Sequence, residues 1–152
     1  MTFLPSGNWL DNISNVIYAE TQQHEHHFDL TVNEIHKITG AGTLDFGGSE
    51  FKPATTEKLN PEKQKADDDY GWWKLREGPY KIIFNESLND LDNKVALISP
   101  HPHLREAGVV ADTYLITTDK ESGIFSINIT ISEAGCNIKE NARVAELRVI
   151  GS

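Results

Sequence analysis

Cysteine occurs once, as Cys136, which excludes an intramolecular disulfide and any cysteine-based metal cage. Long apolar runs are missing, and no uninterrupted stretch approaches the length needed to span a bilayer, so no membrane partner is expected. The N-terminal "MTFLPSGNWLDNISNVIYAE" lacks a basic region followed by a continuous apolar one, so it does not read as a signal peptide. A cytoplasmic location is the expectation. The sequons at Asn12, Asn85 and Asn128 then read as chance matches, because N-glycosylation needs a secretory route. Basic charge is also in short supply: 14 Lys and Arg stand against 23 Asp and Glu, a formal charge of −9, and no basic stripe gathers them. Such a surface repels nucleic-acid phosphates and argues against a DNA or RNA partner. A few local cations or a divalent ion can still overcome that field for a small phosphorylated ligand.

What is present is a chain of 152 residues, enough for a single domain over 1–152 with a sizeable core. Period-two alternation is cleanest in "GIFSINITIS". Phe125, Ile127, Ile129 and Ile131 face one way, and Ser126, Asn128, Thr130 and Ser132 the other, which predicts an antiparallel strand with one wet face. "HHFDLTVNEIHKIT" alternates Phe28, Leu30 and Val32, while "YKIIFNE" and "NKVALISP" read as further strands, the first entered through a turn at Gly78-Pro79. The glycines of "TGAGTLDFGG" predict tight turns on either side of a short strand. Residues 52–69, polar and proline-containing, predict an exposed loop, and Trp72 and Trp73 after it read as packing at a core edge. "EAGCNIKENARVAELRVI" predicts a turn and a terminal strand pair.

Helical signals are few. "GNWLDNISNVIYAE" spaces Trp9, Leu10, Ile13, Val16 and Ile17 as an amphipathic helix would, with Asn8 as its cap; an irregular N-terminal strand is the alternative. "SPHPHLREAG" predicts a short helix with His101 and His103 at its mouth and Gly108 at its C-cap. Many short strands with one or two short helices predict an all-β sandwich or barrel-like fold.

Beyond about Gln22, the stretches "QQHEHHFDLTV", "EIHKITGAGTLDF", "KLREGPYKIIFNES", "PHPHLREAG", "TDKESG" and "NARVAELRV" follow in order. Their sequence and spacing resemble the motifs of the dUTP diphosphatase and dCTP deaminase family, in its archaeal-type form. That resemblance implies a distorted β-sandwich or jelly-roll of the β-clip type, assembled as a homotrimer with sites between subunits. It also implies a deoxynucleoside triphosphate as ligand. The hydrolases in the family are implied to use Mg²⁺ on the triphosphate and a water activated by an aspartate, and the deaminases a glutamate without metal.

Carried over position by position, the resemblance places His101 where family members have an arginine, and Pro102 and His103 where they have serines. Pro102 has neither N–H nor hydroxyl, and a histidine is only partly charged near neutral pH, so phosphate donors are lost there. Asp119 matches the hydrolases' "D.GY.G" aspartate, but Lys120, Glu121 and Ser122 follow it without the aromatic residue that stacks on the base. The deaminase glutamate falls on Asn128, which cannot shuttle a proton, and the deaminase arginine falls near Thr117. Asp29 matches an aspartate near metal and phosphates, and Glu146 replaces the glutamine of the last motif. The chain ends shortly after "RVI", which leaves little room for the C-terminal arm that closes over nucleotide in many relatives.

Three functional expectations follow. The first is a relative with lost or strongly reduced catalysis and a structural or regulatory role. The second is a metal-dependent diphosphatase that releases pyrophosphate, with Asp29 and Asp119 as catalytic residues and Arg105, Lys120, Lys139 and Arg143 as phosphate partners. The third is a β-module that holds a divalent ion. There, His24 and His26 on one extended face and His101 and His103 on another converge near Asp29 as a Zn²⁺ site; the alternative is a polar surface turn.

Overall fold

The computed structural model describes residues 2–117 and 125–151. Its strands are β1 (Thr2–Phe3), β2 (Ile13–Ser14), β3 (Phe28–Gly40), β4 (Thr55–Lys58), β5 (Trp72–Leu75), β6 (Gly78–Phe84), β7 (Ser87–Leu88), β8 (Val95–Pro100), β9 (Val109–Ala111), β10 (Tyr114–Thr117), β11 (Ser126–Ile131), β12 (Cys136–Lys139) and β13 (Arg143–Gly151). The α-helices among the described residues are α1 (Ala19–Gln22) and α2 (Pro102–Glu106). The main sheet runs β10-β8-β13-β3-β6-β11-β9, with β1 added to β13 and β4 to β3, and β12–β5 and β2–β7 form separate ribbons. The pairings are antiparallel. The result is a curled, half-barrel sheet of the distorted β-clip or jelly-roll kind, as expected from sequence.

The long strand β3 explains how polar side chains come to be buried. Its first half pairs with β13 and its second with β6, with a register shift between Val32 and Glu34 where the strand passes from one half of the sheet to the other. From Phe28 to Val32 the strand is buried on both faces. Phe28, Leu30 and Val32 fill the core, so the alternate face carries Asp29 and Thr31 inward as well. Those two residues must find partners inside the protein, because a buried polar group without one costs free energy.

The strand β11 follows its sequence pattern: Ile127, Ile129 and Ile131 are buried while Asn128 and Thr130 are exposed. Phe125 packs edge-on against Phe84 at 5.0 Å. Trp73 is buried, with its Nε1–H donating to Leu59 O at 3.2 Å, whereas Trp72 is half-buried beneath Lys139.

Several local expectations are corrected. The segment 7–20 is not one helix. It forms 3₁₀ turns at Ser6–Asn8 and Leu10–Asn12, the short strand β2, and then α1. Asn8 lies inside the first turn instead of capping a helix. Asn12 donates to Asp90 O at 2.7 Å, β2 pairs with β7, and Asn15 has φ of 63°, so tertiary ties and a left-handed residue interrupt the periodicity. Gly78 and Pro79 open strand β6, opposite Ile131 and Thr130, and the turn lies before them. Within 52–69 the residues are largely exposed, yet β4 pairs there with the end of β3. The short strand expected in "TGAGTLDFGG" is reduced to a single bridge between Thr43 and Lys52. Both C-terminal strands form, but β12 pairs with β5 and β13 with β3 and β8.

Candidate functional site

The site grows from Asp29, whose residue is 1% exposed. Its Oδ2 receives Arg143 Nη1 at 2.9 Å and lies 3.0 Å from His24 Nε2 and 3.7 Å from His101 Nε2. Its Oδ1 is buried and takes no hydrogen bond among the described residues; His27 Nε2 stands 3.6 Å away. Glu146, opposite Asp29 in the β3–β13 register, brings Oε2 to 3.1 Å from His27 Nε2 and accepts from Arg148 Nη1 at Oε1, also at 3.1 Å. Asp29, His24 and His27, and separately Asp29, His101 and Glu146, each bring ligand atoms within 4.8 Å of one another.

A tight turn assembles the first trio. His24 N–H donates to His27 O at 3.0 Å, and Gln23 bridges to Phe28. Side chains in such a turn do not alternate as in a strand. His24 and His27 therefore share a side, their rings stacked at 4.4 Å, and His26 points into solvent. The extended-face pairing of His24 with His26 is thus replaced by His24 with His27.

The second element is α2. His101 is its N-cap: its Nδ1 accepts the His103 N–H at 3.0 Å, and Pro102 occupies the first helical turn. This acceptor role leaves the ring proton of neutral His101 on Nε2, facing Asp29. His103 is exposed, meets His101 edge-on at 4.6 Å and is not among the clustered ligand groups at Asp29. Gly108, with φ of 86°, follows the helix as expected. Arg105 is exposed, and Lys139 lies 5.6 Å over the Trp72 ring, so neither joins Asp29. Asp119 and Lys120 lie outside the described residues. Asn128 sits on the exposed face of β11, its N–H held by Asp112.

Behind Asp29 lies a second buried carboxylate that the sequence did not single out. Glu86 accepts from Thr31 N–H at 2.8 Å, Thr31 Oγ1 at 2.6 Å and Gln22 Nε2 at 2.8 Å. Gln22 Nε2 also donates to Asp29 O at 2.8 Å, which ties this network to the Asp29 backbone. Burial pushes the Glu86 carboxyl up, and the donors from Thr31 and Gln22 hold it partly down.

Burial likewise lowers both His27 and His101 from the ordinary 6.5. For His101, Asp29 and Glu146 oppose that shift while His103 and Arg143 reinforce it. The native state therefore resists protons that the unfolded chain binds, and these groups remove stability as pH falls from 6.5 through their lowered folded values. Thermal unfolding of metal-free protein at about pH 7.5 and 5.5 checks this. The melting temperature is expected to fall on acidification, and by less in His101→Asn, which keeps a good N-cap without a titrating ring. An undiminished drop in that variant contradicts the assignment.

Fold and site together define an all-β, β-clip protein with an acid–imidazole cluster between β3, β13 and the mouth of α2. The chain is 33% identical over 135 residues to proteins called probable deoxyuridine 5'-triphosphate nucleotidohydrolase from Methanosarcina mazei and Methanosarcina acetivorans, covering 89% of this chain and 75% of each relative. The 2'-deoxycytidine 5'-triphosphate deaminase from Agrobacterium tumefaciens superposes with a TM-score of 0.66 at 13% identity over 98% of this chain. This chain spans about half of that deaminase's length, 48%. No family model matches. The chain belongs to the dUTPase/dCTP deaminase family.

Proposed function

We propose that the protein is a dUTPase-like family member with lost or strongly reduced triphosphate hydrolysis, serving a structural or regulatory role as a homotrimer. The observation that carries this reading is the mouth of α2, where the resemblance puts the phosphate-binding motif. A helix N-terminus holds phosphate through its free N–H groups. Here Pro102 has no N–H, and the His103 N–H is taken by His101. Beside this mouth the Arg143 and Arg148 guanidiniums are engaged by the Asp29 and Glu146 carboxylates, which weakens their attraction for a triphosphate.

The resemblance also implies Mg²⁺, and the donor set does not fit it. Mg²⁺ favours oxygen ligands in octahedral geometry. Asp29 is surrounded instead by imidazoles and the Arg143 guanidinium, so no hydrolytic step is routed through that ion. Apolar surface at Leu44, Phe46 and Phe51 on the hairpin beyond β3, exposed by 88%, 109% and 55%, supports assembly with further copies of the chain.

Two readouts on the purified chain test the reading. No dUMP and pyrophosphate are expected from dUTP with Mg²⁺, and sedimentation is expected to give a three-copy mass. Metal-dependent product overturns the loss of catalysis, and a monomer mass overturns the assembly.

A further inference from the structure

The Asp29 cluster contains a feature that nucleotide chemistry does not use. Oδ1 of a carboxylate that is 1% exposed faces the histidine turn without a hydrogen bond from any described residue. Each of the two carboxylates divides its oxygens in the same way. Asp29 gives Oδ2 to Arg143 and turns Oδ1 toward His27; Glu146 gives Oε1 to Arg148 and turns Oε2 toward His27. The guanidiniums thus orient the acids from behind, as outer hydrogen-bonding partners do in metal centres, and leave Asp29 Oδ1 without a hydrogen bond among the described residues.

From this geometry we infer that His24, His27 and Asp29 bind a borderline divalent transition-metal ion, Zn²⁺ in particular, with Glu146 beside His27. Ligand atoms at ordinary Zn–N and Zn–O lengths around a tetrahedral ion stand about 3.3 Å apart. The observed separations bracket that figure: 3.0 Å for His24 Nε2 to Asp29 Oδ2 and 3.6 Å for His27 Nε2 to Asp29 Oδ1. Two imidazoles with one carboxylate suit Zn²⁺ better than Mg²⁺, and leave a fourth position open. No hydrogen bond among the described residues holds Nδ1 of His24 or His27, so each ring can keep its proton there and offer Nε2. His101 cannot do so while it caps α2, because its Nδ1 is an acceptor and its Nε2 bears the proton. His101 is therefore a donor beside the site and not a ligand. The inference needs no turnover and stands apart from the loss of catalysis proposed above.

The test is calorimetric titration of Zn²⁺ into the metal-stripped full chain, with circular dichroism confirming that each variant is folded. One ion per chain is expected. Asp29→Asn and His24→Ala are each expected to weaken binding by at least about tenfold, while His26→Ala stays within about twofold of the native protein. His24, with its side chain 40% exposed, keeps the test decisive if the Asp29 variant is structurally disturbed. Absence of stoichiometric binding overturns the site, as does an equal loss in His26→Ala or displacement of Zn²⁺ by equimolar Mg²⁺.

Discussion

Glu86→Ala is expected to lower the free energy of unfolding by about 3–5 kcal/mol, a large share of the ~5–15 kcal/mol that holds a typical domain. The carboxylate serves three donors at once: Thr31 N–H, Thr31 Oγ1 and Gln22 Nε2. Removing it leaves the two Thr31 donors without their acceptor and Gln22 Nε2 with only Asp29 O, at about 1–3 kcal/mol for each lost partner, offset in part by the relief of burying a charge. The damage spreads because the partners are shared. Thr31 Oγ1 also accepts from Asn85 Nδ2, which donates to Asn141 Oδ1 and Val32 O, and Gln22 Oε1 accepts from the Ile17 and Tyr18 N–H groups. One carboxylate thus ties the N-terminal turn to β3 and to the turn before β13. Glu86→Gln, which keeps the volume and one acceptor oxygen, is expected to cost less. Urea unfolding measures both; a loss below about 1 kcal/mol in Glu86→Ala shows that the network is dispensable.

Phe28→Ala is expected to cost about 3–5 kcal/mol, through lost burial and the cavity left behind. Phe28 is 0% exposed and sits opposite Leu147, where β13 pairs with β3. It also lies between His27 and Asp29, so a cavity there loosens both the histidine turn and the carboxylate that faces it. A midpoint shift with unchanged denaturant slope in Phe28→Ala supports the account. A near-neutral result would mean that the surrounding core collapses into the gap.

Much of the sheet was legible because its strands carry a local signal. The isoleucines of β11 and the apolar positions of β3 alternate as a half-buried pleat requires. The N-terminal segment was not legible, because its spacing of Trp9, Leu10 and Ile13 fits a helix while its structure is set by distant ties, from Asn12 to Asp90 and from β2 to β7. Among the candidates named from sequence, Asp29, His24, His101, Arg143 and Glu146 lie together in the structure. His27 was missed because the tight turn at 24–27 breaks strand alternation, and the clue lay in the unbroken polar run "QQHEHH" before Phe28. Glu86 was missed for a different reason. Nothing near it in the chain shows that β3 is buried on both faces, so that Thr31 needs an acceptor from inside.

The most direct measurement is a turnover assay with the purified chain at high concentration. dUTP, dCTP and the other common nucleotides are each incubated with Mg²⁺, Mn²⁺ or Zn²⁺ against a chelator, and products are separated chromatographically. No product above the protein-free control is expected with any metal, because Pro102 has no N–H and the His103 N–H at the α2 mouth is taken by His101 Nδ1. Metal-dependent dUMP and pyrophosphate would contradict it and make Asp29 and Asp119 the first residues to replace.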